Sequence, residues 1–234
     1  MKITTVSPII GNGFIAKNFL KTKKNLIKSK TVLYTAGISN SKTINKKKLI
    51  REFLRIKSYL KNFDNKKKLI YISSFSVFDP QRNKSLYVKN KIKIEKFLQK
   101  KNINHLIIRL PEIIGKNKNK RTLVNFIFNR IKDGKNFDVW KNSLRNIVDI
   151  ADAVKIINKI IISGLNKKKT VNIISKYFYS PENIIKILEI KLNKKADYKY
   201  LYLKKRKLKK HKPYYVKSNS NKENYLKKII NKYY

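Results

Sequence analysis

The sequence predicts an α/β fold built on a parallel β-sheet. Short apolar runs alternate with stretches in which apolar residues recur at helical spacing, an order typical of strand–helix–strand units. The chain has 234 residues and is 41% hydrophobic, which is enough to bury a core around such a sheet. We therefore expect one α/β domain with a smaller appended part.

The first half of the chain carries four predicted strands, each followed by a predicted helix. The strands are expected at residues 3–10, 31–36, 69–73 and 106–110, and the helices at 14–27, 44–62, 86–100 and 122–133. Pro8 weakens the first strand, because proline cannot donate a ladder hydrogen bond. Gly134 is typical of a residue that ends a helix.

The second half has shorter elements in a less regular order. Strands are expected at 137–140, 146–148, 170–174 and 198–203, and helices at 149–163, from 181 onward, and at 223–231. Asp149 and Ser180 are the predicted N-caps of the first two helices. The change of pattern predicts two domains, residues 1–135 and 136–234.

Composition excludes several classes of site. The chain contains no cysteine and only two histidines, His105 and His211, which lie far apart, so no metal site is expected. No apolar run approaches the ~20 residues of a membrane-spanning helix, and the N-terminus lacks the apolar core of a signal peptide. A cytoplasmic protein without a membrane span is the expectation.

The formal net charge of +46 has two explanations. One is a polyanionic partner such as RNA, which the cluster of basic residues at 204–212 would bind. The other is mutational bias toward AT-rich codons, since 51 of the 59 basic residues are lysine and only 8 are arginine. Proteins that recognise bases, or that bind a phosphate through two hydrogen bonds, use arginine more than lysine. Mutational bias is therefore the preferred explanation, and nucleic acid is the less favoured partner.

A glycine-containing turn follows the first predicted strand. Residues 11–16 read Gly-Asn-Gly-Phe-Ile-Ala, a G-x-G-x-x-A pattern. Gly11 would allow the tight turn, Gly13 would let the backbone approach a pyrophosphate, and Ala16 would let helix and strand pack closely. The pattern predicts a Rossmann-like, doubly wound sheet that binds a dinucleotide.

The residue that usually binds the adenosine ribose of NAD is missing. An acidic side chain is expected roughly 20 positions after the turn, but no Asp or Glu occurs before Arg51. Lys28 and Lys30 stand near that position and would tolerate a phosphate on the ribose. The cofactor is therefore expected to be NAD or NADP, with NADP slightly favoured.

Tyr87 and Lys91 form a Y-x-x-x-K pair at the start of a predicted helix. With 14 Tyr and 51 Lys in 234 residues, chance gives 14 × 51/234, or about 3 such pairs, and the chain has two. The second, Tyr200 and Lys204, begins in a predicted strand, whereas the helix places Lys91 one turn from Tyr87 on the same face. An adjacent ammonium lowers the pKa of a phenol from about 10, so Tyr87 could exchange protons with an alcohol carbon's hydroxyl group near neutral pH.

Six segments in one order resemble a known family. They are Gly11–Ala16, Thr35–Gly37, Ser73–Phe78, Tyr87 with Lys91, Arg109 with Ile113–Gly115, and Arg145–Asp152. Together they resemble the extended short-chain dehydrogenase/reductases, the NAD-dependent epimerase/dehydratases of nucleotide sugars. The resemblance implies a shortened Rossmann-like domain over residues 1–135 and a small α+β substrate-binding part over 136–234.

The resemblance also assigns roles by position. It implies that Tyr87 is the acid/base, that Lys91 binds the nicotinamide ribose, and that Ser74 orients the substrate. The implied cofactor contacts are Gly11, Gly13, Phe14, Ile15, Ala36 and Gly37. Arg145 matches a residue that contacts the substrate diphosphate.

The implied activity is hydride transfer at a sugar carbon of a nucleotide sugar, in surface-polysaccharide synthesis. Only about 20 residues separate Ala16 from Ala36, where the family has a further strand–helix–strand unit, so the adenosine pocket is reduced. Reductase, epimerase and dehydratase activities stay open, as do a monomer and a homodimer. The alternative is a non-catalytic Rossmann-like protein that binds a polyanion such as RNA.

Overall fold

The structure is a computed structural model with an α/β architecture. It describes residues 7–79, 82, 84–117, 119–164, 169–202, 213–216 and 220–234. The strands are β1 (Ile9–Ile10), β2 (Thr31–Tyr34), β3 (Lys68–Ser74), β4 (His105–Leu110), β5 (Glu112–Ile114), β6 (Phe137–Trp140), β7 (Arg145–Asp149), β8 (Lys169–Ser175), β9 (Phe178–Tyr179), β10 (Tyr198–Leu201) and β11 (Pro213–Val216). The helices are α1 (Phe14–Asn18), α2 (Lys23–Lys28), α3 (Lys46–Tyr59), α4 (Leu86–Gln99), α5 (Leu123–Lys132), α6 (Ile150–Ile162), α7 (Pro181–Leu192) and α8 (Lys222–Tyr233).

A six-stranded sheet confirms the predicted Rossmann-like fold class. Its order is β1-β2-β3-β4-β8-β11, and the first four pairs are parallel. The register pairs Ile10 with Tyr34 and Tyr34 with Tyr71, so these strands end on one edge. Among the described residues β1 lies at the end of the sheet, with no strand on its outer side. This agrees with the shortened sequence after the glycine turn.

The chain divides into two compact units at a different place from the predicted boundary. The first unit contains residues 1–110, 154–172 and 208–213, and the second contains 111–153, 173–207 and 214–234. The division falls near residue 110 rather than 135 because β5 pairs with β7 of the second unit. The chain also returns to the first unit for most of α6 and the start of β8, a return that local sequence pattern could not reveal.

The core of the first unit lies between the sheet and the helices α3 and α4. Its centre contains Val32, Tyr34, Ile56, Leu69, Tyr71, Ile94, Leu98 and Ile107, all buried. β2 is buried at all four positions, as expected for a parallel strand covered on both faces. This packing fixes the carboxyl ends of β2 and β3, where the candidate residues lie.

The second unit is an α+β assembly with its own core. It contains a three-stranded sheet ordered β5-β7-β9 and a two-stranded sheet of β6 and β10. Ser180 caps α7 as predicted, in a reciprocal pair of hydrogen bonds with Asn183. The Asp149 carboxylate accepts a hydrogen bond from the Ala151 amide at 2.8 Å, which supports its predicted capping role.

The predicted helix at 14–27 is interrupted. α1 ends at Asn18, a 3₁₀ turn covers Leu20–Thr22, and α2 follows. The Thr22 hydroxyl donates to the Phe19 carbonyl at 2.8 Å, a local bond that competes with continuous helix. Periodicity did not reveal this break, nor the short strands β5, β9 and β11. The basic cluster at 204–212 and residues 1–6 of the first predicted strand lie outside the described residues.

Candidate functional site

The glycine turn leads from β1 into α1 and packs against the residues that follow β2. Gly11 has a φ of +121°, and a Cβ there would lie 2.6 Å from the Thr35 Oγ1 and 3.0 Å from the Ala36 nitrogen. The Thr35 hydroxyl and amide both donate to the Ile10 carbonyl, at 3.0 and 2.7 Å. Only glycine fits at position 11, for reasons of both conformation and space.

Gly13 differs from Gly11 because space is open around it. It is the N-cap of α1 with an extended backbone, and a Cβ there would meet nothing within 4 Å. A phosphate could therefore approach the main chain at Gly13, as a dinucleotide requires. Phe14 and Ile15 are the first two residues of α1 and are half-buried, while Ala16 is buried as predicted. The turn thus fits the pyrophosphate of a dinucleotide.

Ala36 and Gly37 follow β2 after one intervening residue, Thr35. A Cβ at Gly37 would lie 2.7 Å from the Lys91 Nζ and 2.9 Å from the Glu52 Oε1. The main chain at the end of β2 therefore rests on a charged pair from α4 and α3. This contact places Lys91 beside the residues expected to line the cofactor.

Ser73 and Ser74 end β3 and have different partners. The Ser73 hydroxyl donates to the Glu95 Oε1 at 2.6 Å. The Ser74 hydroxyl accepts from the Ser76 amide at 3.2 Å and so caps the 3₁₀ turn that follows, Phe75–Phe78. Ser74, the predicted substrate-binding residue, is buried at the carboxyl edge of the sheet.

Tyr87 and Lys91 lie on the buried face of α4. Ser85 caps the helix by accepting from the Val88 amide at 3.2 Å. Tyr87 packs with Val77 and Val88, and the Lys91 Nζ lies 5.5 Å from the centre of the Tyr87 ring. The structure therefore brings the predicted pair together on one face.

Two polar groups bind the Lys91 ammonium directly, and a third binds its carboxylate partner. Its Nζ donates to the Glu52 Oε1 at 2.6 Å and to the Tyr71 hydroxyl at 3.3 Å, while the Asn90 amide donates to the other Glu52 oxygen at 3.0 Å. Burial lowers the pKa of Lys91, but the nearby Tyr71, Tyr87 and Glu52 oxygens outweigh it and raise that pKa above its ordinary value. The ammonium is charged, and its side chain is only 3% exposed.

Glu95 forms a second buried ion pair on α4, with Arg109 of β4. The Arg109 Nε donates to the Glu95 Oε1 at 2.9 Å, and its Nη2 donates to the Glu95 Oε2. The guanidinium also lies 4.9 Å from the centre of the Phe78 ring. This pair connects the end of α4 to the strand beside Ser73 and fixes the helix that carries Tyr87.

Sequence reasoning overlooked Glu52, Tyr71 and Asn90. A signal for Glu52 was present, because it occupies the apolar face of α3 between Leu49 and Ile56, where a carboxylate is unexpected. Tyr71 and Asn90 gave no comparable signal, since buried Tyr in a strand and Asn in a helix are common. All three complete the surroundings of Lys91.

Arg145 belongs to the second compact unit, where it begins β7. It is half-buried, and its Nη1 donates to the Leu144 carbonyl at 3.2 Å. The other predicted site residues, from Gly11 to Lys91, all belong to the first unit.

The described part of the chain contains neither a metal-binding cluster nor a membrane-spanning helix. Those residues contain no group of three or more His, Asp or Glu side chains that could hold a metal ion. None of the helices in the same part is long and apolar enough to cross a membrane.

Comparison with known proteins finds solved structures of similar fold but no match by sequence. No protein-family model matches the chain, and no curated protein matches its sequence. Among solved structures, the UDP-glucose 4-epimerase of Thermotoga maritima with UDP-glucose has a TM-score of 0.61 at 15% identity, with 92% of this chain and 82% of that chain covered. The UDP-glucose 4-epimerase of Thermus thermophilus with NAD has a TM-score of 0.60 at 9% identity, with 86% and 76% covered.

A third structure carries the other nicotinamide cofactor. RMD from Pseudomonas aeruginosa with NADPH has a TM-score of 0.56 at 16% identity, with 73% of this chain and 68% of that chain covered. At these identities the similarity concerns the fold. The chain has the fold of the nucleotide-sugar epimerases, in agreement with the resemblance noted in its sequence.

Proposed function

We propose that this chain is an NAD(P)-dependent enzyme that transfers hydride at a sugar carbon of a nucleotide-linked sugar. The observation that carries the proposal is the position of Lys91, which lies against Gly37 at the end of β2 and 5.5 Å from the Tyr87 ring. A Tyr–Lys pair at the carboxyl edge of a parallel sheet, beside a glycine turn, suits proton exchange next to a bound dinucleotide.

Each residue has a proposed task. Gly11 and Gly13 would bind the pyrophosphate through the main chain, and Ala36 and Gly37 would line the cofactor. Tyr87 would take or return the proton of the sugar hydroxyl while Ser74 orients that hydroxyl. The chemistry that a bound nicotinamide supplies is acceptance and return of the hydride. Arg145 would contact the substrate diphosphate.

We also propose the reaction type, the cofactor and the biological role. Epimerase is the favoured reaction among epimerase, reductase and dehydratase, because epimerases with UDP-sugars are among the similar folds. NADP is slightly favoured over NAD, since no acidic residue precedes Glu52 and Lys28 and Lys30 stand near the expected ribose position. A role in surface-polysaccharide sugar synthesis follows from the resemblance.

The first test is binding, followed by turnover. Thermal unfolding of the purified protein should shift upward with NAD or NADP and with UDP- or dTDP-sugars, because a ligand that binds only the folded state stabilises it. Turnover should then be measured with the sugars that bind. Tyr87→Phe should lower kcat by about 10²-fold or more, the contribution of a general acid/base.

Tyr200→Phe is the matched control, because Tyr200 begins the other Y-x-x-x-K pair and lies on β10 of the second unit. It should retain the rate of the unmodified protein. Equal turnover by Tyr87→Phe would remove Tyr87 from the reaction, and no shift with any nicotinamide dinucleotide would refute the proposed function.

A further inference from the structure

Glu52 forms an ion pair that the proposed reaction does not require. It lies on α3, points toward the sheet, and meets the Lys91 ammonium at 2.6 Å with both side chains 3% exposed. Its second oxygen accepts from Asn90 at 3.0 Å. Two charges removed from water in this way are costly unless their geometry is good and their hydrogen bonds are satisfied, and here both conditions are met.

The pair lies against Gly37, one of the predicted cofactor-lining residues. A Cβ on Gly37 would meet the Lys91 Nζ at 2.7 Å and the Glu52 Oε1 at 2.9 Å. The ammonium is therefore packed against the underside of the strand end. Glu52 draws the Lys91 side chain into the interior, and the Tyr71 hydroxyl on β3 accepts from it at 3.3 Å.

The charge of Lys91 is offset before it acts on Tyr87. The ionisable groups around the ammonium are Glu52 from α3, Tyr34 from β2, Tyr71 from β3 and Tyr87 from α4. Glu52 is the one carboxylate among them. A carboxylate at 2.6 Å turns the ammonium into one end of an ion pair, whose field at 5.5 Å is weaker than that of a single charge.

We propose that Glu52 is a positioning residue for Tyr87, which holds the Lys91 ammonium against Gly37 and offsets its charge. The ammonium then acts more weakly on Tyr87 than an unpaired ammonium would. The catalytic meaning of this inference rests on the proposed function. Its physical content, the coupling between Glu52 and the ionisation of Tyr87, can be measured without turnover.

The test is a titration of Tyr87 by NMR. Tyrosine labelled at the ring carbon that bears the hydroxyl is incorporated into the protein and into Glu52→Gln, and Tyr87→Phe versions of both identify the resonance among the 14 tyrosines. In Glu52→Gln the ionisation midpoint of Tyr87 should fall by about one pH unit, a tenfold change in its equilibrium. An unchanged midpoint overturns the proposal.

Glu95→Gln is the matched control. Glu95 is also a buried carboxylate, but its partner is Arg109, one helical turn beyond Lys91. This variant should lose stability as Glu52→Gln does and leave the midpoint of Tyr87 unchanged. If both variants move the midpoint equally, the effect is a general loosening of α4 and the assignment to Glu52 is wrong.

A second variant keeps the proposal testable if Glu52→Gln does not fold. Replacing Glu52 and Lys91 together by methionine leaves no unpaired buried charge, a change that proteins often tolerate. Because the two charges offset each other, Tyr87 should ionise within about half a pH unit of its midpoint in the unmodified protein. A rise of about one unit or more would mean that Lys91 acts on Tyr87 unopposed.

The two proposals can fail separately. Full turnover by Tyr87→Phe would refute the enzymatic role of Tyr87 and leave the titration difference intact. An unmoved titration midpoint in Glu52→Gln, with Tyr87→Phe inactive, would refute the role of Glu52 alone.

Discussion

Replacing Gly11 by alanine should destabilise the protein strongly, while replacing Gly13 should not. Gly11 has a φ of +121°, a conformation that a residue with a Cβ adopts at a cost of about 1–2 kcal/mol. The new Cβ would also lie 2.6 Å from the Thr35 Oγ1 and 3.0 Å from main-chain atoms. Overlap of this kind adds about 1–3 kcal/mol.

The sum for Gly11→Ala is about 2–5 kcal/mol, because the two costs are separate. For a chain of 234 residues each kcal/mol lowers Tm by about 2–4 °C, so the expected fall is roughly 4–20 °C. Gly13→Ala meets no atom within 4 Å and should cost at most about 1 kcal/mol as a poorer N-cap.

The assay is thermal unfolding followed by circular dichroism, with and without NAD or NADP. Without cofactor Gly13→Ala should lose at most about 4 °C in Tm. With cofactor it should lose the upward shift, since its methyl group occupies the approach to the main chain. A Gly13→Ala variant as unstable as Gly11→Ala would refute the reasoning, as would Gly11→Ala with an unchanged Tm.

Two further predictions concern buried polar groups. Lys91→Met should cost about 3–5 kcal/mol in urea unfolding, because it leaves the buried Glu52 carboxylate without its counter-charge. Lys89→Met, on the exposed side of α4, should cost less than about 0.5 kcal/mol, and equal losses would contradict the assignment. Tyr34→Phe should stabilise the protein by about 1 kcal/mol, since the buried Tyr34 hydroxyl has no hydrogen-bond partner in the described structure. Burial raises the pKa of Tyr34 to about 12, whereas the phenol of the unfolded chain ionises at about 10. The free energy of unfolding should therefore fall as pH rises from about 10 to 12, because the unfolded state loses the proton first. Tyr34→Phe should lose less stability across that range, and identical pH profiles would argue against the shift.

Most strands and helices of the first unit could be predicted, because apolar spacing and capping residues mark them locally in the sequence. The apolar runs at β2, β3 and β4 are buried strands, and α4 matches its predicted helix within one residue at its C-terminal end. Ser180 was identifiable as a cap because capping depends on residues three positions apart. Such features need only neighbours along the chain.

The interruption of the first helix and the boundary between the two units could not be predicted from neighbouring residues. The break between α1 and α2 is accompanied by two side-chain bonds to the main chain, from Asn18 and Thr22, in a segment whose apolar spacing is compatible with one helix. The boundary near residue 110 depends on the pairing of β5 with β7, whose paired residues are about 35 positions apart in the chain. Periodicity carries no information about such pairings.

The α/β class, the glycine turn and the pairing of Tyr87 with Lys91 on one helical face could be predicted from spacing along the chain. The binding of Lys91 to Glu52 against Gly37 could not. Those three residues lie on different segments, and the burial of the ion pair depends on how α3, α4 and the end of β2 pack together. Packing therefore sets the charge that Tyr87 experiences.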